Sequence, residues 1–416
     1  MNPTIFISAG EASGEHYGAL LIGALKRRLA ADGRQAEFVG MGGRRMEEAG
    51  LERVVGAEEM AVMGVTEVVR HLPRIYGGYR KLQQTIRSRR PGLAVLIDFP
   101  DVHFKLAEEF SRLKIPVIYF VSPQLWAWKQ HRIRLVRAYV RRMLVIFPFE
   151  EAFYRERGVQ AEFVGHPLAE LPLPSISRGQ FAAENGLSAD RTWIALLPGS
   201  RPKEIRDHLP EMIEAARSLS MPDPAAAEPS EEYEFLVPLA PTLSAEQRAE
   251  VLQLAEDHGG VLAIRTVDDA RAALFHARAA VVASGTATVE AALIGNPFVV
   301  VYRVSLATYA VAKMAVKVPH VAMANLIAGK RVVPELIQKD FTAANIVRQL
   351  ELLLPDGPPR QSMMQELAVL RNALSSRPCG DRSGGQLDRL GAIERVAAIA
   401  LQELDAVART GNVKTA

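Results

Sequence analysis

The sequence predicts two successive α/β domains, each a doubly wound parallel sheet of Rossmann-like type, facing one another across a cleft. Three observations predict it. Short apolar runs alternate with longer stretches of helical period, and continuous apolar strands separated by helices belong to parallel sheets covered on both faces. The pattern restarts after a proline-rich stretch, His166 to Pro174 (HPLAELPLP), which reads as a stiff connector. The chain has 416 residues, too many for one ordinary core and suited to two domains.

The first set of strands is expected at Thr4–Ala9, Ala36–Met41, Leu93–Asp98, Val117–Val121 and Arg142–Phe147. A helix is expected over His16–Ala31, and further helical patterns lie between the strands. The second set is expected at Trp193–Leu197, Tyr233–Pro238, Val261–Arg265, Ala279–Ala283 and Phe298–Tyr302. The break falls near residue 170, giving predicted domains 1–168 and 169–370 and a C-terminal segment 371–416. In that segment Gly391–Leu404 has a helical pattern and the residues beyond it are expected to fray. Met221–Glu232 (MPDPAAAEPSEE) is polar and without period, so a surface loop is expected there.

Composition narrows the function classes. Hydrophobic residues at 49% and charged residues at 23% exclude a disordered or fibrous chain. A formal net charge of +3 argues against a nucleic-acid polycation. Cys379 is the single cysteine, which rules out an internal disulfide or a multi-cysteine zinc site and favours a reducing compartment. The segment Met1–Ser8 lacks a basic and apolar leader and reads as a first strand. No apolar run approaches the ~18 residues of a membrane span, so a cytoplasmic protein is expected. The histidines show neither HxxH nor HExxH spacing, and neither metal nor cofactor is expected.

Five motifs can carry chemistry. The first is Ser8-Ala-Gly-Glu-Ala-Ser-Gly-Glu15, closing the first strand. Gly10 and Gly14 permit close backbone approach, and the helix that follows offers free N–H groups to a phosphate or a sugar hydroxyl. The alternative is a plain strand–helix turn with Ser13 as a cap. The spacing is neither GxGxxG nor a Walker loop, which counts against a dinucleotide-dependent oxidoreductase. The second is Leu96-Ile-Asp98-Phe-Pro-Asp101. A carboxylate at the carboxyl end of a buried strand lies where catalytic groups of such sheets gather, and an inverting glycosyl transfer needs one base. Asp101 suits a helix cap, which leaves Asp98 free to act.

The third motif is Leu196-Leu-Pro-Gly-Ser200-Arg201. A tight turn with one guanidinium before a helix can hold a diphosphate and stabilise it as a leaving group. The fourth is Ala283-Ser-Gly285-Thr286-Ala-Thr288-Val-Glu290. Its turn can hold phosphate, and Glu290 can accept two ribose hydroxyls or simply favour the helix N-terminus. The fifth runs from Asn325 through Glu335 to Gln338. Its amides and carboxylate could read sugar hydroxyls or a uracil edge, and ordinary capping would also explain them. Two further stretches bear on partners. His131–Arg142 sets Arg134, Arg137 and Arg141 on one helix face, suited to anionic lipid though more often just solvated. Met60–Val69 reads as core or as a plastic surface for acyl chains.

Taken together, GEASGE, IDFPD, VSPQLWAWKQHR at Val121–Arg132, PFE at Pro148–Glu150, VGHPL, LLPGSR, ASGTATVEAAL, VVVYRVS and NLIAGKRVVPELIQ resemble the lipid-A-disaccharide synthase family, in its order and from about Gly10 to Gln338. The resemblance implies an inverting GT-B glycosyltransferase. Such an enzyme joins UDP-2,3-diacylglucosamine to 2,3-diacylglucosamine 1-phosphate (lipid X), giving a β-1,6-linked disaccharide phosphate and UDP without a metal. It implies a protein bound peripherally to the cytoplasmic face of the inner membrane, often as a homodimer, with C-terminal helices returning to the N-terminal domain. By motif, Asp98 takes the base position and Arg201 that of the essential arginine. Ser200, Glu290, Asn325 and Gln338 fall in nucleotide- and sugar-binding segments. The rivals are another GT-B protein, such as a UDP-GlcNAc 2-epimerase, and a non-catalytic nucleotide-binding module.

Overall fold

The computed structural model describes residues 2–60, 65–221, 233–240, 243–260, 262–305, 309, 318–375 and 390–412, with the side chains of 65–72 and 410–412 left aside. Cys379, residues 222–232 of the predicted loop and residues 61–64 of the Met60–Val69 stretch therefore lie outside the described residues. The chain forms two compact units, Met1–Glu170 with Leu374–Ala416, and Leu171–Ala373.

The first unit carries seven strands: β1 (Thr4–Ala9), β2 (Glu37–Gly42), β3 (Leu51–Gly56), β4 (Leu93–Ile97), β5 (Val117–Phe120), β6 (Arg142–Val145) and β7 (Ala161–Phe163). They lie in the order β3-β2-β1-β4-β5-β6-β7, and every neighbouring pair is parallel. The order reverses between β1 and β4, where Ser8 lies beside Leu96 and Ala9 beside Ile97. Ile5, Phe6, Ile7, Leu93, Val95 and Ile97 are fully buried, as central parallel strands covered on both faces require.

The helix Ala392–Asn412 belongs to this unit and continues past Leu404, where fraying was expected. Val396, Ala397, Ile399, Ala400 and Leu404 form its buried stripe. Arg27 and Arg28 on the helix Ala12–Ala31 reach Glu394 at 2.9 and 2.8 Å, Arg34 reaches Asp405 at 2.7 Å, and Arg395 reaches Glu162 at 3.0 Å. Exposed pairs are worth only ~0–1 kcal/mol each, so the apolar stripe does most of the holding and the charges fix its register.

The second unit carries six strands: β8 (Thr192–Leu197), β9 (Tyr233–Pro238), β10 (Ile264–Val267), β11 (Ala279–Ala283), β12 (Phe298–Tyr302) and β13 (Glu335–Ile337). Their order is β10-β9-β8-β11-β12-β13, again all parallel. Here the reversal falls between β8 and β11, with Leu197 beside Val282. Both units are thus doubly wound parallel sheets flanked by helices, the fold class that the apolar runs predict. Three edge strands, β3, β7 and β13, were not expected. The strand expected at Val261–Arg265 instead starts at Ile264.

Candidate functional site

In each unit two of the predicted motifs leave the sheet at its reversal point, the place where open α/β sheets bind ligands. In the first unit the Gly10–Glu15 segment follows β1 and Asp98 follows β4. In the second, Pro198–Arg201 follows β8 and Gly285–Glu290 follows β11.

Asp98 and Phe99 are consecutive left-handed residues, with φ of 52° and 49°. Asp tolerates that conformation, while Phe does not, and each such residue costs about 1–2 kcal/mol. Strain of this kind persists only where its surroundings over-determine it. Two hydrogen bonds do so here. The main-chain carbonyl of Asp98 accepts from His103 Nδ1 and from the Tyr119 hydroxyl, each at 2.6 Å. The Phe99 ring in turn covers Gly10, filling the space a Cβ there would need. Gly10 is therefore a glycine because Phe99 packs on it, while at Gly14 an added Cβ would meet neighbours only at 3.5 Å.

Burial and the nearby Glu11 push the half-buried Asp98 carboxyl up to about 7, and a hydrogen bond from the Phe99 backbone opposes them. A carboxyl with that value is divided between acid and base near neutral pH, which suits a general base. The helix Ala12–Ala31 starts beside it with Glu11 at its N-cap and no side-chain cap, so Ser13 lies inside the first turn and does not cap it. Glu15 turns away to accept the Arg45 N–H at 2.9 Å and fills the space beside Gly43.

Asp101 is not the cap that its position suggested. The helix begins at Pro100 with Phe99 as N-cap, and Asp101 in its first turn pairs with Arg132 at 2.6 Å. The three-arginine face is also absent. The helix there ends at Tyr139 and β6 begins at Arg142, so Arg141 leaves the helix and pairs with Glu403. The VSPQLWAW segment is held from below. Buried Glu150 accepts from Trp126 Nε1 at 3.2 Å and from the Phe147 N–H at 3.1 Å, and burial pushes its carboxyl up to about 8. Val121, a β-branched residue at φ 63°, starts that segment in strain.

In the second unit Gly199 adopts φ 122°, and an added Cβ would meet Glu204 at 2.6 Å. The helix Pro202–Ser220 starts at the N-cap Arg201. Glu204 accepts from the Ser200 N–H at 3.3 Å and from Arg201 Nη1 at 3.0 Å, so one carboxylate engages both donors of the turn. Buried His208 braces the turn from behind. The Arg303 N–H donates to its Nε2 at 3.0 Å, which leaves Nδ1–H to donate to the Pro198 carbonyl at 2.7 Å.

The helix Thr286–Ile294 starts at Gly285 without a side-chain cap, and Gly285 and Thr286 are exposed. Buried Thr288 donates its hydroxyl to the Gly285 carbonyl at 2.7 Å, shaping this turn rather than facing out of it. Glu290 sits in the second turn, 3.6 Å from Arg271, and burial raises its carboxyl.

Asn325, Glu335 and Gln338 are taken up by their own loop. Fully buried Asn325 accepts from the N–H groups of Val332 and Val333 at 2.7 and 2.9 Å, and donates to the Val333 carbonyl at 2.9 Å and to Glu335 at 2.7 Å. Glu335 also accepts from the Ala322 N–H at 3.0 Å. Gln338 bonds both backbone groups of Val304, at 2.8 and 3.0 Å. These residues fix the backbone beside β12 and β13.

The sequence reading missed His103, Tyr119, His208 and Glu204. Only Glu204, three residues after Arg201, carried a local signal. Among the described residues, no group of three or more His, Cys, Asp or Glu could hold a metal ion.

A family model described as lipid-A-disaccharide synthetase matches residues 5–381. The chain is 60% identical over 383 residues to the lipid-A-disaccharide synthase of Acidobacterium capsulatum, covering 90% of this chain and 92% of that one. It is 48% identical over 373 residues to the protein of that name from Koribacter versatilis, covering 89% and 93%. Among solved structures it is similar to the glycotransferase of kitacinnamycin, at a TM-score of 0.60 and 13% identity over 97% of this chain and 100% of that one. It is also similar to a UDP-GlcNAc 2-epimerase from Neisseria meningitidis, at a TM-score of 0.56 and 12% identity over 90% and 97%. These last two likenesses concern the GT-B fold alone.

Proposed function

Since the chain belongs to the lipid-A-disaccharide synthase family of glycosyltransferases, we propose that it joins UDP-2,3-diacylglucosamine to 2,3-diacylglucosamine 1-phosphate, giving the β-1,6-linked disaccharide 1-phosphate and UDP with inversion. The observation that carries the mechanism is Asp98, a carboxyl with a value near 7 on a strained turn at the reversal point of its sheet.

The Asp98 carboxylate takes the proton of the acceptor 6-hydroxyl. That oxygen attacks the anomeric carbon of the donor, and the bond from this carbon to the diphosphate breaks with its electron pair going to UDP. Arg201 and the N–H of Ser200 receive the charge, with the uncapped turn at Gly285 and Thr286 as a second phosphate cradle. A diphosphate bound there takes over the donors that Glu204 engages. Glu290 receives the ribose hydroxyls. Gly10, Ser13 and Gly14 belong to the substrate-binding segment that follows β1. Asn325, Glu335 and Gln338 serve by holding the loop beside β12 and β13 in shape.

We take the reaction to run at the cytoplasmic face of the inner membrane, with the protein bound peripherally. Both substrates are amphipathic, and among the described residues no helix is long and apolar enough to cross a membrane. The test is an assay with radiolabelled donor and lipid X in detergent micelles containing EDTA. Disaccharide phosphate and UDP in equal amounts, with β configuration by NMR, is the expected result. UDP released without disaccharide, or an epimerised sugar, would overturn the reading.

A further inference from the structure

We propose that His103 and Tyr119 are positioning residues for the base, fixing the main-chain carbonyl of Asp98 and so setting where its carboxylate points. The inference rests on the reading of Asp98 as base. The two donors come from different elements, His103 from the helix Pro100–Arg112 and Tyr119 from β5, and converge on one oxygen at 2.6 Å each. Both side chains are fully buried, so each acts through Asp98.

The hydrogens are determined by the partners. A carbonyl only accepts, so His103 Nδ1 carries the proton. Burial keeps the ring neutral, pushing it down to about 4. Nε2 is then an acceptor, and the buried Ser8 hydroxyl donates to it at 2.8 Å. The chain of bonds runs from β1 through the helix to the end of β4 and on to β5, tying together the strands on both sides of the reversal point.

This bracing decides a direction. Successive side chains of a strand point to opposite faces, so a β4 that continued straight through Asp98 would aim its carboxylate elsewhere. The carbonyl bonds hold the left-handed turn against that alternative. The charged and titratable groups that face Asp98 are Glu11 from the β1 loop, His103 from the helix and Tyr119 from β5, and Tyr119 is itself faced by Tyr154, Asp101 and Arg132.

Tyr119→Phe and His103→Leu each remove one donor, while His103→Asn restores an N–H near the position of Nδ1. All are assayed in micelles from about pH 5 to about pH 9 beside Asp98→Asn. Tyr119→Phe and His103→Leu are expected to lower kcat about 10- to 100-fold. They leave UDP affinity within about twofold and shift the acid limb of kcat to lower pH as the freed carboxyl gains solvent. His103→Asn recovers most of the rate. If a donor-less variant fails to fold, Ser8→Ala, which loosens only the His103 ring, is expected to show a smaller loss with the same shift. Lower melting with an unmoved acid limb and normal kcat would overturn the inference while leaving Asp98 as base. Near-normal turnover by Asp98→Asn would overturn both.

Discussion

The ring of Phe99 occupies the space that a side chain on Gly10 would need. This contact couples the loop after β1 to the turn that carries Asp98. Gly10→Ala is expected to lift the ring and with it Asp98, lowering kcat about 10- to 100-fold. Gly14→Ala, where an added Cβ meets its neighbours at 3.5 Å, is expected to cost little. Kinetics on the two variants in parallel check this, and equal effects would count against the coupling.

Asp98→Asn keeps a residue tolerant of the left-handed turn and removes the proposed base. Turnover is expected to fall about 10²- to 10⁴-fold, with UDP affinity measured by calorimetry unchanged. In the wild type kcat should rise about tenfold per pH unit below about 7 and level off above it. The stability consequence runs the other way. The folded-state value lies above the ordinary carboxyl value of 3.8, so stability is fully present below that pH and is lost as pH rises to about 7. Asp98→Asn should therefore melt higher than the wild type at pH 8, and the difference should vanish near pH 4. Melting curves across pH decide this.

The carboxylate of Glu204 engages the Ser200 N–H and Arg201, the two donors of the proposed diphosphate site. Glu204→Gln is expected to tighten UDP binding about two- to fivefold, the scale of one exposed charge contact. Arg201→Ala should weaken UDP binding about 10- to 100-fold and slow turnover as well. Titration calorimetry with UDP reads both, and a Glu204→Gln variant that binds more weakly would show that the carboxylate shapes the turn instead.

Asn325→Ala would leave the N–H groups of Val332 and Val333 without their acceptor inside the protein. A loss of about 2–3 kcal/mol is expected for the second unit. The denaturant midpoint of that transition measures it, and an unchanged midpoint would show that the loop finds other partners.

The central strands were legible because runs such as Ala279–Ala283 and Phe298–Tyr302 are apolar throughout and are followed by serine or arginine. The missed strands are edge strands that mix charges into short runs, as in Leu-Glu-Arg-Val at Leu51–Val54. Asp98 and Arg201 stand out as candidates because their types and their places after strands point to chemistry. Their supports could not. His103 is one histidine in an ordinary helical stretch, and its meaning comes from a carbonyl five residues back and a serine on another strand. The arginine stripe failed because periodicity gives no stop signal at Tyr139, where pairing with β5 takes over from the helix.

The helix Ala392–Asn412 belongs to a unit whose first stretch ends at Glu170 and whose second begins only at Leu374. A ribosome therefore delivers the first unit's sheet well before the piece that covers the helix Ala12–Ala31. At about 5–20 residues per second the roughly 220 residues between Glu170 and Ala392 take about 10–45 s to emerge, during which that apolar flank stays bare. The second unit, contiguous in the chain, can mature in the meantime. Newborn chains are thus most exposed to chaperones and proteases through their first unit, and premature termination before Ala392 leaves that flank uncovered.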